Sequence, residues 1–234
     1  MRRARLTALC LLALLALSAP AAAGARHRHH RHRHAVPDSC AVAHKHVLAA
    51  GPQAQVYVLS TLGQQAQQEV FACAKGARHS FSLGPVPVCD TAGNCVGVES
   101  FALAGSVVAF GSTTIIEPTL PSEVAQRRFL VQVRDLRTNR MLRIAPTGVP
   151  GQPKPGLTGI GRVRAIVVKS DGAVAWIAED ETGAAPGAYE VGAADAAGLR
   201  LLAAGTGIDP GSLTLAGSTL SWSQSGQAAS SVLN

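Results

Sequence analysis

The stretch that decides the fold is Leu103–Phe110 (LAGSVVAF), because it returns as Leu215–Trp222 (LAGSTLSW) and, more loosely, as Lys169–Trp176 (KSDGAVAW). Each copy has the pattern of a strand, a two-residue turn of Gly-Ser or Asp-Gly, and a second strand that ends on an aromatic residue. A unit that recurs in this way is typical of repeat folds. The chain is therefore predicted to build several similar antiparallel hairpins.

The aromatic residues that close the three copies, Phe110, Trp176 and Trp222, are predicted core residues. Side chains alternate along a strand, so each aromatic ring shares a buried face with the apolar residue two positions before it. Successive aromatic residues are 66 and 46 residues apart. Intervals of about 40–50 residues suit the four-stranded blades of a propeller.

From about residue 53 onward, short stretches rich in Val, Leu and Ile alternate with Gly, Asp, Asn and Pro, which is an all-β pattern. The predicted strands are 54–60, 68–74, 79–84, 98–104, 107–112, 128–135, 140–145, 163–169, 173–179, 188–194, 199–204, 211–216 and 219–223. We interpret 98–145 and 163–204 as blades and 211–233 as a third, with 54–84 adding another blade or completing that one. The predicted fold is an all-β, propeller-like array of three to four degenerate blades, not necessarily closed. The alternative is an irregular β-sandwich.

Ser170–Trp176 (SDGAVAW), followed by Tyr189–Val191 and Leu199–Leu202, resembles a TolB-type, WD-like propeller repeat. The proline of the family's usual Ser-Pro-Asp-Gly is missing, and the other two copies have Gly-Ser in place of Asp-Gly. The chain as a whole is similar to uncharacterised secreted bacterial proteins with degenerate propeller repeats. This resemblance implies a fold and no particular activity, because propellers serve as scaffolds, binding platforms and enzymes alike.

The N-terminus has the three parts of a secretory signal peptide, predicted to span residues 1–25. Met1–Arg5 is basic, Leu6–Leu17 is apolar, and Ser18–Ala25 is rich in small residues. The apolar run is shorter than the roughly 20 residues that cross a bilayer. We therefore expect a protein that is secreted, extracellular or associated with the cell envelope, and that is not integral to a membrane.

Four cysteines follow the leader: Cys40, Cys73, Cys89 and Cys95. An even number of cysteines in an oxidising compartment predicts two disulfides. The turn-forming residues between Cys89 and Cys95 favour a bond between these two, which leaves Cys40 to join Cys73. The alternative joins Cys73 to Cys89 and Cys40 to Cys95.

A tract of only Arg and His, Arg26–His34, opens a predicted disordered linker and N-terminal segment over residues 26–52, before a single domain at 53–234. The imidazoles of five histidines in the tract are candidate ligands for a transition metal: His27, His29, His30, His32 and His34. The interleaved arginines repel a divalent cation. We therefore favour a solvated spacer with loose attraction to anionic envelope polymers.

The formal net charge of +7 is confined to the N-terminal part of the chain. Residues 1–34 contain seven arginines and no acid, and the remainder has fourteen basic and fourteen acidic residues. Six arginines between Arg127 and Arg143 are predicted to coat the outer side of a hairpin. Because the charges of residues 35–234 balance, this part of the chain gives no electrostatic reason to bind nucleic acid.

No catalytic motif is present: the sequence lacks a Gly-x-Ser-x-Gly elbow, a His-Glu-x-x-His helix and a Walker loop. Glu179–Glu181 could bind calcium, but charges in such a loop are usually solvated. We therefore predict no catalytic residue, no cofactor and no enzymatic activity. A hydrolase whose site carries no motif stands third among the function classes.

The favoured function is a monomeric, non-enzymatic binding or scaffold module outside the cell. Its partner would be an extracellular protein or an anionic envelope polymer, bound through loops that include 112–127 and 146–162. The alternative is an extracellular protein that binds a transition metal through Arg26–His34.

Deletion of residues 26–34 from the mature protein removes four arginines and with them all of its excess positive charge. Binding to an anionic polymer should largely vanish, while the free energy of unfolding should change by no more than about 0.5 kcal/mol. Polymer cosedimentation at two salt concentrations and urea unfolding measure these outcomes, and zinc titration of both proteins tests the metal alternative. Unchanged polymer binding with the same salt dependence would assign it to Arg127–Arg143 instead.

Overall fold

Short apolar stretches form β-strands throughout the part of the chain that the computed structural model describes. The described residues are 38–60, 68–91, 95–116, 126–148, 157–158, 160–181 and 187–234, and all belong to one compact unit, Val36–Asn234. They contain seventeen strands, which confirms the all-β class. They include no helix long and apolar enough to cross a membrane.

The strands form four sheets. Sheet I contains β1 (His46–Ala50), β2 (Ala54–Ser60), β3 (Gln68–Ala74) and β4 (Ser80–Pro85). Sheet II contains β5 (Val88–Cys89), β6 (Cys95–Ala104), β7 (Val107–Ile116), β8 (Gln126–Asp135), β9 (Arg140–Pro146) and β10 (Leu157–Thr158). Sheet III contains β11 (Val163–Val168), β12 (Val174–Glu179), β13 (Tyr189–Asp195) and β14 (Gly198–Gly205). Sheet IV contains β15 (Thr214–Ala216), β16 (Thr219–Gln224) and β17 (Gln227–Val232).

Each sheet is an antiparallel meander in which a strand pairs with the next strand of the chain. Sheet II departs from this order only at β10, which pairs in parallel with β8. The β6–β7, β11–β12 and β15–β16 turns contain Gly105, Gly172 and Gly217, whose φ angles are 62°, 90° and 60°. Glycine adopts such left-handed backbone without steric cost. The repeated turn residues of the sequence therefore mark equivalent turns in three sheets.

The sheets pack face to face in chain order, and an apolar core lies between each consecutive pair. Strand β7 contributes to two of these cores because its side chains alternate. Val108 and Phe110 face sheet I, while Val107 and Ala109 face sheet III. Strand β12 divides its side chains in the same way between sheets II and IV. Sheets II and III are therefore buried on both faces.

The structure places the repeated aromatic residues in these cores, one in each. Phe110 lies between sheets I and II, Trp176 between II and III, and Trp222 between III and IV. They are 2%, 1% and 6% exposed. Each ring packs toward the sheet that precedes its own. Each repeat thus supplies one large side chain to the core that it shares with the preceding sheet.

Trp176 fits between sheets II and III because its cross-strand partner on β13 is Gly192. A Cβ at Gly192 would lie 2.6 Å from atoms Cε2 and Cζ2 of the indole ring. Any side chain at this position would therefore displace the ring. A core packed at crystal-like density cannot absorb such a shift without cost.

The Asp195 carboxylate joins sheet III to the residues that follow sheet IV. It accepts hydrogen bonds from Ala197 N at 2.8 Å and from Asn234 N at 2.9 Å, and it forms an ion pair with Arg200. Burial alone would raise the pKa of Asp195, but these bonds outweigh it and lower the pKa. Arg200 Nη2 also donates to Val232 O at 3.0 Å. These contacts fix β17 against sheet III.

Every predicted strand overlaps an observed one, and β1, β5, β10 and β17 are additional. Strand β1 lies within 26–52, the segment predicted to be disordered, and begins seven residues before the expected domain start. Its side chains are mostly exposed, and its sequence, HVLAA, does not alternate between apolar and polar residues. Residues 54–84 form a sheet of their own with β1, rather than completing the C-terminal one.

Replacement of Trp176 by Ala should lower the free energy of unfolding by about 3–5 kcal/mol, because the buried indole leaves a cavity between sheets II and III. Urea denaturation of the oxidised protein measures the change. Ile144→Ala is the control: Ile144 is 59% exposed, so its loss should cost less than about 1 kcal/mol. Equal stability of Trp176→Ala and the parent would contradict the core position.

Candidate functional site

A cleft of about 380 Å³ opens between sheets I and II; we call it the I/II cleft. Its walls are apolar and are formed by Leu48, Val58, Val70, Val86, Pro87, Val98 and Phe101. Three polar residues complete the lining, namely His46, Gln68 and Glu99. Val70 and Val98 also belong to the buried core between the two sheets. The cleft is thus an opening into that core, with few polar groups.

One wall of the cleft depends on a glycine in β6. Gly97 has a φ of 142°, and a Cβ there would lie 2.7 Å from Pro85 O and 2.8 Å from Pro87 backbone atoms. The missing side chain lets the segment from Pro85 to Pro87 cross directly over β6. Val86 N donates to Gln68 O at 2.9 Å, which holds the same segment against sheet I. The wall is therefore fixed to both sheets.

A β-bulge in β6 sets the direction of two polar side chains at the border of the cleft. The register of β6 against β7 shifts between Val98 and Phe101, so Glu99 and Ser100 together oppose a single residue of β7. Bulges change the direction in which a side chain points. Glu99 borders the cleft, but its carboxyl, like Ser100 Oγ, faces sheet III: Ser100 Oγ donates to Val163 O at 2.8 Å, and the carboxyl is bonded to Thr113 on the same face of β7.

The Glu99 carboxyl is partly buried and hydrogen-bonded. Thr113 Oγ1 donates to Glu99 Oε1 at 3.1 Å. Burial raises the pKa of Glu99, and the charge of Arg162 and the Thr113 hydrogen bond oppose the rise without cancelling it. Glu99 therefore carries a poorly solvated carboxyl that faces the arginines of sheet III.

Beside the cleft, arginines and glutamates form an ion-pair network. Arg127 Nη1 lies 2.6 Å from Glu181 Oε2, and Arg162 Nε lies 2.7 Å from Glu181 Oε1. Arg164 Nε donates to Glu179 Oε2 at 2.8 Å. Glu179 and Glu181 are thus occupied by guanidinium groups, and neither the calcium nor the solvated-loop interpretation of Glu179–Glu181 describes them.

The cysteines are joined as the favoured pairing predicts. Cys40 is bonded to Cys73, with a Cα–Cα distance of 5.5 Å, and Cys89 to Cys95, with a Cα–Cα distance of 3.9 Å. The first bond attaches the segment before β1 to the outer face of sheet I. The second attaches β5 to the start of β6, next to the I/II cleft.

The remaining predicted site residues are not brought together. The histidines of Arg26–His34 lie outside the described residues, as do parts of the loops 112–127 and 146–162. Among the residues that are described, no group of three or more His, Cys, Asp or Glu is arranged to hold a metal ion. Phe110, Trp176 and Trp222 lie in three separate cores.

The sequence interpretation missed the I/II cleft, although one signal was present. In β6 (CVGVESFALA), a glutamate followed by serine interrupts an otherwise apolar strand. A charged residue in such a strand indicates either an exposed face or a bulge. Only the register against β7 distinguishes the two.

Comparison with known proteins adds no neighbour: no family model, curated protein or solved structure matches the chain. The resemblance to TolB-type propellers therefore stays a prediction from the repeat residues.

Glu99→Gln should stabilise the protein at neutral pH. Because the folded-state pKa of Glu99 is raised, the folded protein holds that proton more tightly than the unfolded chain. This stabilising contribution is complete below the unfolded-state pKa of about 4.3 and is lost as the pH rises through the folded-state pKa. Glutamine keeps the acceptor for Thr113 and carries no charge to desolvate, so its advantage should appear only above that pKa.

Urea unfolding of the parent and Glu99→Gln across the range from about pH 3.5 to pH 8 measures this difference. The two proteins should have equal stability at the acidic end and diverge as the pH rises. A variant that is less stable than the parent at neutral pH would show that the attraction to Arg162 outweighs the cost of burial.

Proposed function

We propose that the chain is a secreted, non-enzymatic binding module with a propeller-like arrangement of sheets, and that it takes an apolar ligand in the I/II cleft. The observation that carries this proposal is the cleft itself, in which mostly apolar walls are completed by a few polar residues, His46 and Gln68 among them. Pockets that bind small molecules combine mostly apolar linings with a few placed polar groups.

The propeller-like arrangement is supported by the order and packing of the sheets. Four meanders follow one another along the chain, and each packs its face on the next. Strands at or near the start of successive sheets are neighbours as well, since β1 contacts β6, β6 contacts β11, and β11 contacts β15. Sheet IV has three strands where sheets I and III have four. An incompletely closed array fits this pattern, and an irregular sandwich is the alternative.

The size and the polar residues of the cleft define the ligand. A volume of about 380 Å³ lies near the lower end of the roughly 300–1,000 Å³ typical of ligand pockets. It suits a small molecule, or one bulky apolar group of a larger molecule. His46 and Gln68 line the cleft, and imidazole and amide groups can each accept a hydrogen bond, so the cleft suits a ligand with an N–H or O–H donor beside its apolar part.

The disulfides support a location outside the cell. All four cysteines of the described residues are paired, and disulfides persist in oxidising compartments. Metal binding by Arg26–His34 stays a separate proposal, supported by the five histidines of that tract.

Binding of the neutral, apolar amine N-phenyl-1-naphthylamine tests the proposal, because the probe has one N–H donor and fluoresces in apolar surroundings. The parent protein should enhance its fluorescence saturably. Val58→Trp extends a larger side chain into the cleft, and the affinity should fall at least about tenfold, a change of roughly 1.4 kcal/mol.

Ile144→Trp is the matched control, because Ile144 does not line the I/II cleft and is 59% exposed. Its affinity for the probe should stay within about twofold of that of the parent. Equal probe binding by the parent, Val58→Trp and Ile144→Trp would place the probe elsewhere and refute the proposed site.

A further inference from the structure

The Cys89–Cys95 disulfide has different surroundings on its two sides. Cys95 is 5% exposed at the start of β6, whereas Cys89 is exposed on the two-residue strand β5. An attacking thiolate in solvent therefore meets the Cys89 sulfur first. In contrast, both partners of the other disulfide are buried, Cys40 at 5% and Cys73 at 0% exposure.

A guanidinium group contacts the buried sulfur. Arg162 Nη1 donates to Cys95 Sγ at 3.0 Å, across 67 residues of sequence. The other two nitrogens of Arg162 face carboxylates: Nε lies 2.7 Å from Glu181 Oε1 and Nη2 lies 3.8 Å from Glu179 Oε2. The two glutamates thus orient the planar group so that its third nitrogen points at the sulfur.

Arg162 carries its charge in this position. Burial alone would lower the pKa of Arg162, but the hydrogen bond and the charge of Glu181 raise it. A cation beside a cysteine stabilises the thiolate over the thiol. In thiol–disulfide exchange, the sulfur whose thiolate is more stable is the better leaving group.

We propose that Cys89–Cys95 is a thiol–disulfide exchange site, at which an external thiol attacks Cys89 and Arg162 stabilises the departing Cys95 thiolate. In the first step the thiolate sulfur bonds to Cys89 Sγ, the Cys89–Cys95 bond breaks, and its electron pair stays on Cys95 Sγ. A second external thiolate then attacks the external sulfur of the mixed disulfide, and the electron pair of the broken bond stays on Cys89 Sγ. The products are the external disulfide and the reduced Cys89 and Cys95, so the external thiol is the reductant.

Opening of this bond affects the I/II cleft, a consequence that rests on the proposed function. Only two residue pairs join β5 to β6, Val88 with Val96 and Cys89 with Cys95. Val86 and Pro87, immediately before β5, form part of the cleft wall. The disulfide therefore restrains that wall.

The test uses the oxidised full-length mature protein and reduced glutathione near pH 7. The reaction is stopped with N-ethylmaleimide, and the peptides are mapped by mass spectrometry. Cys89–Cys95 should open at least about tenfold faster than Cys40–Cys73, with glutathione on Cys89 and maleimide on Cys95. Equal opening of the two bonds, or glutathione mainly on Cys95, would overturn the proposal.

Arg162→Gln removes the charge beside the leaving sulfur and should slow opening of the bond about three- to tenfold. Arg164→Gln is the matched control, because Arg164 binds Glu179 in the same network and should leave the rate unchanged. Equal rates for the two variants would refute the role of Arg162. If Arg162→Gln does not fold, the preference of glutathione for Cys89 in the parent protein still tests the exchange site. The assay uses no ligand of the I/II cleft, so its result does not depend on the proposed function.

Discussion

The structure depends on the burial of both faces of β7 and β12. Each strand sends alternate side chains into two different cores, so sheets II and III cannot expose either face to water. A strand in this position must be apolar at nearly every residue, which is the composition of VVAF and of AVAW. The same constraint requires a small partner where a large ring crosses, and Gly192 supplies it opposite Trp176. The repeat therefore encodes the stacking of sheets as well as the hairpins.

A stack of sheets must also end, and the two ends of this one are closed by different means. On the outer face of sheet I, Tyr57 and Phe71 stack with ring centroids 5.8 Å apart, and Cys40 covers them from a segment fixed by its bond to Cys73. The outer face of sheet IV carries Thr, Ser, Ala and the exposed Val232, in register as Thr219 with Val232, Ser221 with Ser230 and Ser223 with Ala228. Terminal units of repeat proteins generally present a polar or covered outer face, because no further unit buries them.

The sequence predicted those features that follow from periodicity and failed on those that follow from pairing between distant segments. Apolar stretches separated by Gly, Asp, Asn and Pro located thirteen of the strands, and the turn-forming residues between Cys89 and Cys95 indicated their bond. The direction of the Glu99 side chain depends on the register of β6 against β7, and the contact of Arg162 with Cys95 spans 67 residues. Neither can be read from the residues next to it in sequence. Strand β1 escaped prediction because it is short and its sequence, HVLAA, has no alternation of apolar and polar residues.

The proposed binding cleft and exchange site both lie at β6, where the regular alternation of side chains between two cores is interrupted. Side chains of β6 should alternate between the two faces as those of β7 do, but Gly97 admits the segment from Pro85 to Pro87, and the bulge turns both Glu99 and Ser100 toward sheet III. The same strand begins at Cys95, whose sulfur meets a guanidinium from the next sheet. A regular strand in this position would have filled the space between sheets I and II with apolar side chains and left no cleft. The irregularities of β6 thus leave the interface of sheets I and II incompletely filled, while alternate side chains of β7 and β12 fill cores on both faces of sheets II and III.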